Sequence, residues 1–83
     1  MAEKLIGKVT HWFGNIDVVG IELKDGLAVG DQIHIQGHTT DFEQEITSMQ
    51  VMHRDVSKVG PGENVGVKVV ARARVGDRVY KVI

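Results

Sequence analysis

Short extended runs separated by turn signals are the feature of this sequence that most limits its fold. Glycine marks breaks near residues 13–15, 24–26, 29–31, 37–41, 58–63 and 74–77, and in all but the fourth it has Asn, Asp or Pro beside it. The runs between these breaks are about 5 to 12 residues long and rich in Val, Ile and Thr, as strands require. No window of ten or more residues follows helical periodicity. The pattern predicts an all-β domain.

Alternating apolar residues identify the strand faces that we expect to be buried. They are Val19, Ile21 and Leu23 in one run, Ile33 and Ile35 in another, and Val65, Val67 and Val69 in a third. The long run from Phe42 to Val56 keeps no single phase, so we expect a bulge or bend there. Glycines within the runs, Gly7, Gly20 and Gly66, fit a tightly curved sheet. We therefore predict one domain over residues 1–83, a small closed six-stranded Greek-key barrel.

Length and composition argue against several classes of protein. A chain of 83 residues has a thin core and little room for a deep substrate cavity. It contains no cysteine, which excludes disulfides and thiolate zinc sites. The first residues lack the apolar run of a signal peptide, and no stretch approaches the ~20 apolar residues of a membrane span. We expect a cytoplasmic protein without contact to a membrane.

Three motifs follow one another along the chain. In the segment Gly26–Gly37, a Leu-x-x-Gly-Asp turn leads into a strand of alternating aliphatic residues. We expect Leu27 to pack into the barrel, Gly30 to form the tight turn and Asp31 to accept backbone hydrogen bonds from it. A Gly-x-x-Val-Gly stretch within 59–67 and a Gly-Asp-x-Val stretch within 75–80 follow. Together these motifs resemble domain II of elongation factor Tu and its relatives, which implies a barrel that binds RNA (tRNA or rRNA) or the translation apparatus.

A second resemblance comes from the same pattern taken together with Thr39-Thr40-Asp41-Phe42. It is similar to the small C-terminal barrel of collagenase-like peptidases, a non-catalytic appendage. This resemblance implies the alternative function, a protein-interaction barrel that docks on a separately encoded enzyme. No Gly-x-x-x-x-Gly-Lys-[Ser/Thr] loop occurs, so we expect no nucleotide binding of the GTPase type.

Charge is distributed unevenly along the chain. Residues 1–50 carry a balance of −5 and residues 51–83 a balance of +4. The candidate phosphate contacts are Lys68, Arg72, Arg74, Arg78 and Lys81. If the last two predicted strands pair, several of these side chains share one outer face and could bind RNA. The alternative is that strands of opposite charge lie side by side and cancel.

Trp12 and Phe13 precede a Gly-Asn turn and are our candidates for contact with a protein partner. The alternative is that Trp12 and Phe42 close the ends of the barrel. The histidines, His11, His34, His38 and His53, lack the spacing of a metal site, and no nucleophile motif surrounds a serine. We predict a non-catalytic binding module without metal or cofactor, and the oligomeric state stays open.

Overall fold

The computed structural model describes residues 2–83, and it forms ten β-strands over that range. The strands are β1 (Glu3–Phe13), β2 (Val18–Leu23), β3 (Leu27–Ala28), β4 (Gln32–Gln36), β5 (Asp41–Glu45), β6 (Met49–Val51), β7 (Arg54–Val56), β8 (Lys58–Val59), β9 (Asn64–Lys68) and β10 (Arg78–Val82). Eight of them form one sheet in the order β5-β4-β10-β1-β2-β9-β6-β7, and β3 pairs with β8. The all-β prediction is confirmed. The strands of residues 2–83 number ten rather than six, and β5 and β7 end the pairing order, so a closed six-stranded barrel is not confirmed.

The extra strands arise mainly in the run from Phe42 to Val56, which forms β5, β6 and β7. Met52 and His53 make the two-residue loop between β6 and β7, and both have positive φ, 52° and 65°. Two-residue loops of this kind usually contain Asn, Asp or Gly, which tolerate positive φ. A Met-His loop therefore gives no turn signal, so the sequence predicts a bulge or bend within one run where the structure has a hairpin.

Alternation identifies the core correctly in the regular runs. Val19, Ile21, Ile33, Ile35 and Val67 are each 0% exposed. Burying such a side chain contributes about 1.5 to 3 kcal/mol relative to leaving it in water. Trp12 and Phe42 are partly buried and pack against this core.

The same Gly-Asp turn occurs twice in the structure. Asp31 Oδ2 accepts the amide hydrogen of Ala28 at 2.9 Å, and Asp77 Oδ2 accepts that of Arg74 at 2.8 Å. The glycine before each aspartate has a positive φ, 98° at Gly30 and 97° at position 76. Leu27 is 2% exposed. The roles predicted for Leu27, Gly30 and Asp31 are therefore confirmed.

A buried glutamine connects two distant parts of the sheet. The Gln44 side chain, on β5, donates to the carbonyl of Lys68 at 2.9 Å and accepts the amide hydrogen of Val70 at 2.7 Å. Since β5 and β9 are five places apart in the sheet order, these bonds require the sheet to curl around its core. Both polar ends of the buried amide are thereby satisfied.

Candidate functional site

The predicted basic face depends on a pairing that does not form. Strands β9 and β10 are separated by β1 and β2 in the sheet. Lys68 on β9 lies opposite Val18, whereas Arg78 on β10 lies opposite Gln36 and Lys8. The shared face required that the last two long strands pair, and this condition is not met: β9 pairs with β2 and β6, whereas β10 pairs with β1 and β4.

The five candidate phosphate contacts consequently belong to two strands that do not pair and to the segment between them. Lys68 is on β9, Arg72 and Arg74 lie in the connecting segment 69–77, and Arg78 and Lys81 are on β10. Lys81 Nζ is 3.3 Å from Asp31 Oδ2, so this cation of the basic half pairs with an acid of the acidic half. That ion pair is of the kind expected if opposite charges cancel across neighbouring elements.

Trp12 and Phe13 point to opposite faces of β1. Trp12 lies opposite the fully buried Val19 and packs on the core. Phe13 lies opposite Val18, and 48% of its surface is exposed. The Phe13 ring stacks on His11, with ring centroids 5.9 Å apart. Of the two candidates, Phe13 is the one that a partner could reach over a large area.

Phe13 borders a groove of about 570 Å³ on the outer face of the sheet, where β1, β2, β9 and β6 run side by side. Gly20 and Gly66 lie directly opposite each other on β2 and β9 and form its floor. Phe13 and Ile16 flank the floor from the β1–β2 hairpin, and Met52 flanks it from the β6–β7 hairpin. We call this surface the glycine groove.

Nothing in the sequence marks Ile16, Met52 or the two glycines as parts of one site. Ile16 is 57% exposed and Met52 is 88% exposed. The available signal was glycine in the middle of two apolar strands, which can mark a close approach to the backbone. Only the pairing of β2 with β9 shows that Gly20 and Gly66 face each other.

A second polar cluster surrounds His34 on β4. Its Nδ1 is 2.9 Å from Glu3 Oε2, and its Nε2 is 2.5 Å from Asp41 Oδ1. The hydrogen bonds to Asp41 and then to Glu3 raise the pKa of His34 above its ordinary value, against a smaller opposing effect of burial. Because each ring nitrogen faces a carboxylate, the geometry suits the imidazolium, in which both nitrogens are donors.

This cluster should make the stability of the domain depend on pH. In the unfolded chain His34 has the ordinary pKa of about 6.5, and in the folded chain a higher one. The contribution of His34 to the free energy of unfolding is fully present between about pH 5 and 6.5, and it is lost as the pH rises through the raised pKa. We expect the melting temperature to fall as the pH rises above about 6.5. His34→Gln should remove this part of the dependence of the melting temperature on pH. The matched control is His38→Gln, at an exposed histidine on the turn that follows β4.

Within residues 2–83, no three His, Asp or Glu side chains are grouped closely enough to hold a metal ion. Residues 2–83 also contain no helix with the length and apolar character needed to cross a membrane.

Comparison with known proteins gives two kinds of similarity, although no protein-family model matches the chain. An uncharacterized protease of Methanocaldococcus jannaschii is 45% identical over 76 residues, which are 90% of this chain and 19% of that protein. The chain thus spans about a fifth of the length of this curated relative.

Two solved structures have a similar fold. The C-terminal domain of a U32 peptidase from Geobacillus thermoleovorans aligns with a TM-score of 0.89 and 16% identity, covering 96% of this chain and 93% of that domain. The selenomethionine variant of the same domain aligns with a TM-score of 0.86 and 15% identity, covering 92% and 96%. The similarities support the resemblance to the C-terminal barrel of peptidases, and they do not show the one to domain II of translation factors. The chain has the fold of a U32 peptidase C-terminal domain.

Proposed function

We propose that this domain is a non-catalytic module that docks on a peptidase-like protein. The observation that carries the proposal is the 45% identity to a stretch that makes up 19% of a protease. In such a protein about four-fifths of the polypeptide lies outside the matching stretch and is available to cover a face of the domain. The finding of the same fold as a C-terminal domain of a peptidase supports this arrangement.

The distribution of polar groups favours docking over RNA binding. RNA-binding surfaces combine positive charge along the backbone path with aromatic platforms for the bases. The basic residues proposed for phosphate contact lie on three separate elements, and Lys81 is paired with Asp31. The exposed aromatic Phe13 instead borders the same groove as the exposed apolar side chains Ile16 and Met52.

Docking can be tested with the M. jannaschii protease from which the matching 76 residues have been removed. Contacts between domains resemble transient protein–protein interfaces, so we expect a 1:1 complex with a dissociation constant in about the micromolar range. Isothermal titration calorimetry measures it directly, and the excised archaeal segment serves as the matched positive control. Titration with bulk tRNA at low and moderate salt tests the other hypothesis.

The outcomes separate the two hypotheses. Heat of binding to the truncated protease, little changed by salt, supports docking. Absence of heat from both this domain and the archaeal segment contradicts it. Saturable binding to tRNA that falls steeply with added salt, together with no binding to the protease, supports RNA recognition in its place.

A further inference from the structure

We infer that the glycine groove is the face that receives the peptidase-like partner, and that its occupant is an extended, uncharged segment of that partner with a large apolar side chain. The inference rests on the proposed function and adds to it the surface and the chemistry of the contact. It follows from the floor of the groove, from its walls and from its charge.

The floor of the glycine groove carries no side chain at Gly66, although the fold leaves space for one there. A Cβ atom added at Gly66 would lie 3.4 Å from Val18 Cγ1 and 3.8 Å from the carbonyl oxygen of Gln50, which are ordinary contact distances. Gly66 has no positive φ that would demand glycine. Glycine in the middle of a strand weakens it, and it is often found where another backbone or a ligand approaches closely. Neither a steric clash nor a positive φ within the domain requires glycine at Gly66, and close approach of a partner explains it.

The side chains that flank the glycine groove are apolar and exposed to solvent. Phe13, Ile16 and Met52 have 48%, 57% and 88% of their surface exposed, and all three border the same groove. Grouped exposed apolar residues mark interaction sites far more often than single ones do. Met52 also has a positive φ of 52°, an unfavourable backbone conformation for methionine that holds it at the tip of its hairpin. Methionine adapts its shape to a partner better than branched residues do.

Charge defines the occupant. The described residues that line the groove include no Lys or Arg, and Glu22 is their one carboxylate. Two histidines, His11 and His53, line the groove as well. Without Lys or Arg the groove has no permanent positive charge to neutralise phosphates, and an uncharged segment costs least to desolvate there. Because Gly20 and Gly66 have no side chains, the backbone of β2 and β9 is uncovered at this point and an extended polypeptide can approach it closely. The part of the archaeal protease outside the match supplies such polypeptide.

The test fills the groove and compares the result with a matched change outside it. Gly66→Val places a side chain on the floor, whereas Lys68→Val places the same side chain on the same face of β9, two residues away and outside the groove. Calorimetry with the truncated archaeal protease should give an affinity loss of about tenfold or more for Gly66→Val, and a change of less than about threefold for Lys68→Val.

A second pair of variants tests the groove without any change in β9, so that a disturbed strand cannot account for the result. Ile16→Ser removes an exposed wall of the groove, and Val75→Ser removes a side chain of similar exposure, 67%, from another loop. We expect about a tenfold loss of affinity for the first and no loss for the second. If the unmodified domain binds and all four variants bind equally, the groove is not the docking face, although docking itself stands. If neither the unmodified domain nor the excised archaeal segment binds, the proposed function fails and this inference fails with it.

Discussion

Gly7→Ala is expected to lower the free energy of unfolding by about 2 to 3 kcal/mol, because the added methyl group has no space. A Cβ at Gly7 would lie 2.4 Å from the backbone oxygen of Glu22 and 3.1 Å from Ile21 Cγ2. A backbone oxygen in the ladder between β1 and β2 cannot move away without disturbing the pairing of those strands. Urea unfolding followed by the fluorescence of Trp12, the single tryptophan, measures the loss.

Gly66→Ala is the matched control, since it makes the same change in the middle of another strand. Its Cβ meets only ordinary contacts, and alanine restricts the unfolded chain more than glycine does. We expect Gly66→Ala to leave the free energy of unfolding unchanged or to raise it by about 0.5 kcal/mol. Equal destabilisation by the two variants would mean that Gly66, like Gly7, serves the fold, and the argument for a functional floor would then be lost.

The double variant Met52→Asn with His53→Gly is expected to change stability and docking in opposite directions. Both residues have positive φ, and each costs on the order of 1 kcal/mol relative to residues that tolerate this conformation. Asn-Gly is the preferred pair for a two-residue hairpin loop of this kind. We expect the free energy of unfolding to rise by about 2 kcal/mol, while the loss of Met52 weakens docking about tenfold.

His53→Gly alone is the control for this variant, because it retains Met52. Its free energy of unfolding should rise by about half as much as that of the double variant, and it should bind the truncated protease within about threefold of the original affinity. Urea unfolding and calorimetry on the same preparations provide both quantities. A double variant that is more stable and also binds as tightly as before would show that Met52 has no part in docking.

Much of the fold could be predicted from the sequence, because its determinants are local. Alternation identifies Val19, Ile21, Ile33, Ile35 and Val67 as buried, and all are. The Gly-Asp turns form as their residue types dictate. Strand number could not be predicted, since the hairpin loop at Met52 and His53 uses residues that rarely adopt positive φ. Propensity rules describe what is usual, and this loop is an exception.

The site was harder to predict than the fold because it depends on strand pairing. Lys68 and Arg78 are on consecutive long strands of the sequence, yet two other strands separate them in the sheet. Gly20 and Gly66 are 46 residues apart in the chain and directly opposite in space. Alternation shows which face a residue occupies, but it does not show which strands are neighbours. Phe13 could be found from its type and its position before a turn, whereas the groove beside it could not.

The most direct test of docking through the glycine groove is an NMR titration of the ¹⁵N-labelled domain with the truncated archaeal protease. The amide signals of Phe13, Gly20, Met52 and Gly66 should shift or broaden first, and those of Arg72 and Arg78 should stay unchanged. Changes confined to the basic residues, or no change at protease concentrations up to about 1 mM, far above the micromolar dissociation constant expected for docking, would contradict the account.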